Sequence, residues 1–146
     1  MSKRIAAVAG LAALLALFAA ACGGGGAKDP GSADKEQIKE LMVQFFDALQ
    51  HKDAAALAAT FSSSCTNIND MAEAAAALVD RYGKGVTFQV KGVKVTGLTA
   101  TTANALPQGT VTLKGQTAPL ADETEPPTPL VKEATGWKIK DCDLFR

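Results

Sequence analysis

The sequence predicts an α+β fold, with three N-terminal helices packed on a curved antiparallel sheet of about four strands. Three observations carry it. Apolar residues recur at helical spacing over residues 34–50. From residue 86 onward the apolar period falls to two. Helices first and strands second is the order that gathers helices on one face of an antiparallel sheet.

The first helix covers residues 34–50, with Ile38, Leu41, Met42, Phe45, Phe46 and Leu49 on one side. Asp34 is placed to cap it, with Gln37 as its capping-box partner. Lys39, Glu40, Val43 and Asp47 lie away from the apolar stripe. Asp53 opens a short second helix, AAALAATF, in which Leu57 and Phe61 are four apart and share a face. The serines at 62–64 end it. Asn69 or Asp70 caps a third helix over 71–82, and Gly83 suits the left-handed residue beyond its end.

Val86, Phe88 and Val90 then alternate with polar residues as a half-buried strand. Gly92 interrupts the alternation and Val93 and Val95 resume it in shifted phase, which marks a bulge. A second strand runs over 99–106 and 110–114, broken at Pro107-Gln108-Gly109. Residues 115–127 hold three acids and prolines and read as an exposed loop. A hairpin closes the chain, from 129–133 through a turn near 134–136 to a strand over 137–143. Trp137, Ile139 and Asp141 share one side of that strand; Cys142 shares the other with Lys138 and Lys140.

The chain opens MSKRIAAVAGLAALLALFAAACGGGG. Lys3 and Arg4 precede an uncharged run over 5–21, the layout of a secretory signal. A membrane span is the competing reading, but it needs roughly 20 apolar residues, and this run leads into four glycines. The division expected is a signal over 1–21, a flexible Gly-rich tether over 22–33 and one domain over 34–146. Ala19-Ala20-Ala21-Cys22 resembles the lipobox of bacterial lipoproteins, with Ala19 where leucine is usual. That resemblance implies diacylglycerol on the Cys22 thiol, cleavage before it and palmitate-type acylation. The expected location is the extracytoplasmic face of the cell membrane, with the membrane as partner through the anchor. An ordinary cleaved signal with a chance cysteine is the alternative. With Cys22 lipidated, Cys65 and Cys142 are left, either as a disulfide or as two separate buried thiols.

Three further segments, FFDAL at 45–49, KDAAALAATF at 52–61 and GWKIKDC at 136–142, resemble members of the nuclear-transport-factor-2-like, cystatin-like cone superfamily, a domain that many actinobacterial lipoproteins carry behind a similar leader. The strand half also resembles the C-terminal domain of the mycobacterial low-molecular-weight secreted antigens. The superfamily implies a cone-shaped α+β fold with an interior cavity. Its enzymes, such as ketosteroid isomerases and dehydratases, set acid and base groups inside that cone.

No such set stands out. Asp47 lies opposite the apolar face and His51 near the same helix end. Asp141 is the best candidate for a buried acid, and Tyr82 could donate a hydrogen bond into a pocket. One histidine and no CxxC or HxxxH spacing disfavour a metal site, and no cofactor is implied. Without the signal the chain carries thirteen basic and fifteen acidic side chains and no basic stripe, which argues against nucleic acid. Phe45, Phe61, Tyr82, Phe88 and Trp137 are the candidates to line a pocket, with core packing as their alternative. The reading that follows is a non-catalytic domain for an apolar small molecule or an envelope protein partner. A small isomerase- or dehydratase-like enzyme and an accessory subunit of an envelope complex are the alternatives, and a dimer is compatible with each.

Overall fold

The computed structural model describes residues 29, 31–82 and 85–144. The signal segment, Cys22 and Gly83 lie outside them. Among the described residues, helix α1 spans Ser32–His51, α2 Ala54–Ala58 and α3 Ile68–Tyr82; the strands are β1 Thr87–Thr96, β2 Thr102–Leu113, β3 Gln116–Pro119, β4 Thr128–Glu133 and β5 Gly136–Ile139. The strands form one antiparallel, curved sheet in the order β1-β2-β4-β5, with β3 paired to β2. No helix among the described residues is long and apolar enough to cross a membrane.

Helix α1 buries the stripe that its spacing predicts: Ile38, Leu41, Met42, Phe45 and Leu49 are buried and Phe46 is half-buried. Its start differs from expectation. Gly31, in the left-handed region, occupies the cap position without a side-chain bond, and Asp34 sits one turn inside. Two donors from the sheet take the Asp34 carboxylate instead: Lys132 Nζ at 2.6 Å and Trp137 Nε1 at 2.9 Å from Oδ1. Asp53 does cap α2, accepting from the Ala56 N–H at 2.9 Å. Phe61 has left that helix and forms a parallel bridge with Ile139. Helix α3 begins three residues earlier than predicted and buries Met71, Ala72, Ala75 and Val79. Asn69 and Asp70 are therefore first-turn residues, where an acid is favoured, and not caps.

The sheet corrects three sequence expectations. First, β2 runs unbroken through Pro107, because it changes partners there. It pairs with β4 over Thr102–Ala105 and with β3 over Thr110–Leu113 on the same flank. Over 106–109 that flank has no strand neighbour among the described residues, so a residue without an N–H is tolerated. Second, the loop predicted over 115–127 contains β3, and the sheet has five strands. Lys114 (φ 50°) and Gly115 (φ 80°) make a two-residue turn with both φ positive, the geometry that matches strand twist. All four β3 residues are exposed, so no apolar alternation announces them. Third, β5 ends at Ile139. Asp141 leaves the sheet and its Oδ1 accepts from the Asp143 N–H at 3.0 Å. The bulge in β1 falls where Gly92 predicts it, with Lys91 as the unpaired residue.

The segment between α2 and α3 is fastened to β4, β5 and the residues after β5 in three ways. The Ser62 N–H donates to Ile139 O and the Ile139 N–H to Thr60 O, at 2.8 and 2.9 Å. Glu133 Oε1 accepts from Ser62 Oγ, the Ser63 N–H and Ser63 Oγ. Cys65 and Cys142 form a disulfide with Cα atoms 5.4 Å apart.

Candidate functional site

The helices and the sheet diverge at the C-terminal end of α1, and a groove of about 510 Å³ opens there. Its floor is set by strand register. Phe88 on β1 faces Val111 on β2, and Val111 faces Ala118 on β3, so three side chains form a row across three strands. Leu113 and Gln116 form the next row. The walls are Leu49 of α1 and Leu78, Val79 and Tyr82 of α3. Residues three and four apart on a helix share a face, which is why Leu78, Val79 and Tyr82 line the groove together. Leu78 and Tyr82 stand at the mouth, 40% and 48% exposed.

Two polar contacts hold the walls. Gln50 Oε1 accepts the Phe88 N–H at 2.8 Å and so ties the end of α1 to the edge strand. Lys52, the left-handed residue that ends α1, pairs with Asp80 of α3. Phe46 of α1 contacts Phe88 with ring centroids 5.4 Å apart.

Of the five residues predicted to line a pocket, Tyr82 and Phe88 line this one. Phe45 and Phe61 are buried and pack on each other, centroids 6.0 Å apart. Trp137 is buried, its indole N–H held by Asp34 and Lys132 Nζ 5.7 Å from its ring centre. These three fill the core away from the groove. Leu49, Leu78, Val79, Val86, Val111, Leu113, Gln116, Thr117 and Ala118 complete the lining. Of these, Leu49 had a sequence signal as the last position of the α1 stripe, and Val86 as the first position of the strand alternation.

Among the described residues, the ionisable groups other than Tyr82 lie outside this lining. Asp141 is not among the lining residues. Asp47 and His51 form an exposed pair on α1, His51 Nδ1 lying 2.9 Å from Asp47 O and 3.3 Å from Asp47 Oδ1. The Asp34 carboxyl is held below the usual carboxylate range by its hydrogen bond from Lys132, then by that from Trp137. Glu133 is lowered likewise, first by Ser62 and then by the Ser63 N–H. Both are docking contacts of the fold. Among the described residues no group of three or more His, Cys, Asp or Glu could hold a metal ion.

No family model and no curated protein matches the sequence. Solved structures do match the fold. A Nostoc punctiforme protein of unknown function with a cystatin-like fold superposes with a TM-score of 0.60 at 17% identity, over 77% of this chain and 90% of that one. A second Nostoc punctiforme domain, also cystatin-like and of unknown function, gives 0.57 at 22%, over 75% and 74%. This fold is the cystatin-like cone of nuclear-transport-factor-2-like proteins. A Streptomyces avermitilis protein with this fold, named as a dehydratase of that family, gives 0.55 at 14%, over 75% and 93%. At such identities the cystatin-like fold is what is shared, and it leaves function to the site.

Proposed function

We propose that this chain is an exported lipoprotein, anchored at the extracytoplasmic face of the membrane by lipid on Cys22, whose domain binds an apolar small molecule without turning it over. The observation that carries the binding reading is the groove itself. Its volume lies within the range of small-molecule sites, and Tyr82 is the one ionisable side chain among its described lining residues. General acid–base chemistry needs a second placed group. The dehydratase name of one fold neighbour is the basis for a catalytic alternative. That alternative predicted Tyr82 and Asp141 in one pocket, and Asp141 lies outside it.

The anchor reading rests on the Ala-Ala-Ala-Cys motif at 19–22 and the glycines after it. The tether would join the domain at the start of α1, whereas Leu49 of the groove lies 17 residues further on. That separation is about 26 Å of helix, so the groove lies toward the end of α1 opposite its first residue. Two measurements test the proposal. Labelled palmitate should enter the wild-type chain and not Cys22→Ala; equal labelling overturns the anchor. The neutral dye Nile red should bind the mature chain with a blue-shifted emission. Val111→Trp, which fills the floor, should weaken that binding by about tenfold or more. Binding that ignores Val111→Trp overturns the groove as the site.

A further inference from the structure

We propose that the groove selects an uncharged apolar molecule bearing a hydroxyl or carbonyl, and discriminates against the same skeleton ended by a carboxylate or an ammonium. This inference rests on the groove being a ligand site and adds the ligand's charge. No carboxylate, imidazole, ammonium or guanidinium occurs among the described residues that line it. Lys52 and Asp80 flank the site outside that lining and are paired with each other. The hydroxyl of Thr117 is engaged by Thr112 at 3.0 Å, in a cross-strand row next to the Phe88–Val111–Ala118 floor and on the opposite face of the pleat. Among the described lining residues two polar side chains then remain for a ligand, the Tyr82 phenol and the Gln116 amide, and both residues are exposed at the rim.

A phenol and an amide each donate and accept hydrogen bonds, and both are neutral. A ligand hydroxyl or carbonyl therefore finds a partner whichever way its dipole points. A carboxylate or ammonium finds no countercharge among the described lining residues, and taking an unpaired charge out of water is among the most expensive transfers in a protein. The apolar floor and walls retain the rest of the molecule through the area they remove from water. Charge complementarity and the concave floor both point to a neutral small molecule as the occupant.

The test is displacement of Nile red from the mature chain by dodecanol, dodecanoate and dodecylammonium, each below its aggregation concentration. Dodecanol should displace the dye at a concentration lower by at least about tenfold than either charged analogue. Leu78→Lys places an ammonium at the mouth from an exposed helix position, so the fold should persist by circular dichroism. It should improve dodecanoate by about tenfold and leave dodecylammonium weak. If dodecanoate matches dodecanol on the unchanged chain, or Leu78→Lys leaves the order unaltered while Nile red still binds, the charge preference is overturned and the groove remains a binding site. If Nile red does not bind at all, both readings fall. A sedimenting dimer whose second copy excludes the dye from the mouth overturns both in the same way.

Discussion

Removing the disulfide should cost this domain a large part of its stability, and the size of the loss follows from where the bridge lies. Cys65 and Cys142 are 77 residues apart. In the chain-entropy treatment a closed loop of that length stabilises by about 4.5 kcal/mol at room temperature. Domains of this size are stable by only about 5–15 kcal/mol. The backbone bridge at Phe61 and the Glu133 contacts hold the same segment, so the native loop stays docked without the bond. The loss therefore acts chiefly through the unfolded chain. Residual structure there reduces it to about 3–4 kcal/mol, or a melting temperature lower by roughly 15 °C. Urea unfolding of the Cys65→Ser/Cys142→Ser double variant should show this, and the dithiothreitol-reduced wild type should agree within about 0.5 kcal/mol. A double variant within about 1 kcal/mol of the oxidised protein would refute the reasoning.

Two further outcomes follow from the geometry. Gly109→Ala should prevent normal folding or cost at least about 2–3 kcal/mol, since a Cβ there would overlap the Gln89 carbonyl of β1 and meet Leu120 Cδ1 at 3.0 Å; an unchanged urea midpoint would contradict it. Because Glu133 titrates lower folded than unfolded, the unfolded chain takes up its proton first as pH falls, and the stabilisation is complete above the ordinary carboxylate range and lost on acidification through the lowered folded value. Glu133→Gln should flatten that part of the stability–pH profile, and a profile as steep as wild type would rule the contact out as its source.

Much of the fold was legible because period and burial coincide. The α1 stripe and the alternation at Val86, Phe88 and Val90 are direct readings of which side faces the core, and the bulge at Gly92 follows from the phase shift. What failed did so where tertiary context decides. Asp34 reads as a cap from its neighbours, and only the folded sheet brings Lys132 and Trp137 to it. β3 carries no apolar pattern, and all four of its residues are exposed. Pro107 reads as a break unless β2 is known to exchange β4 for β3 across it. Asp141 keeps the parity of Trp137 and Ile139 but lies two residues past the last paired position.

The groove shows the same limit from the other direction. Parity along a strand says which face a side chain takes and nothing about whether the space it faces is filled. Phe45, Phe61 and Phe88 are alike in sequence terms, each an aromatic residue on an inward face. Phe45 and Phe61 meet each other where α1, the segment after α2 and β5 converge, and the core closes over them. Phe88 lies against the last two turns of α1, beside Phe46 and Gln50, where β2 continues past it into β3. The difference is one of element length. The pairing of Phe88 with Val111 puts it near the far end of β2, where the described helix residues that line the space are Leu49, Leu78, Val79 and Tyr82. An open end is thus a consequence of a 20-residue α1 packed against a sheet that the β2–β3 hairpin prolongs. Shortening that hairpin should therefore remove the floor of the groove while sparing the core formed by Ile38, Leu57, Leu130 and Ile139.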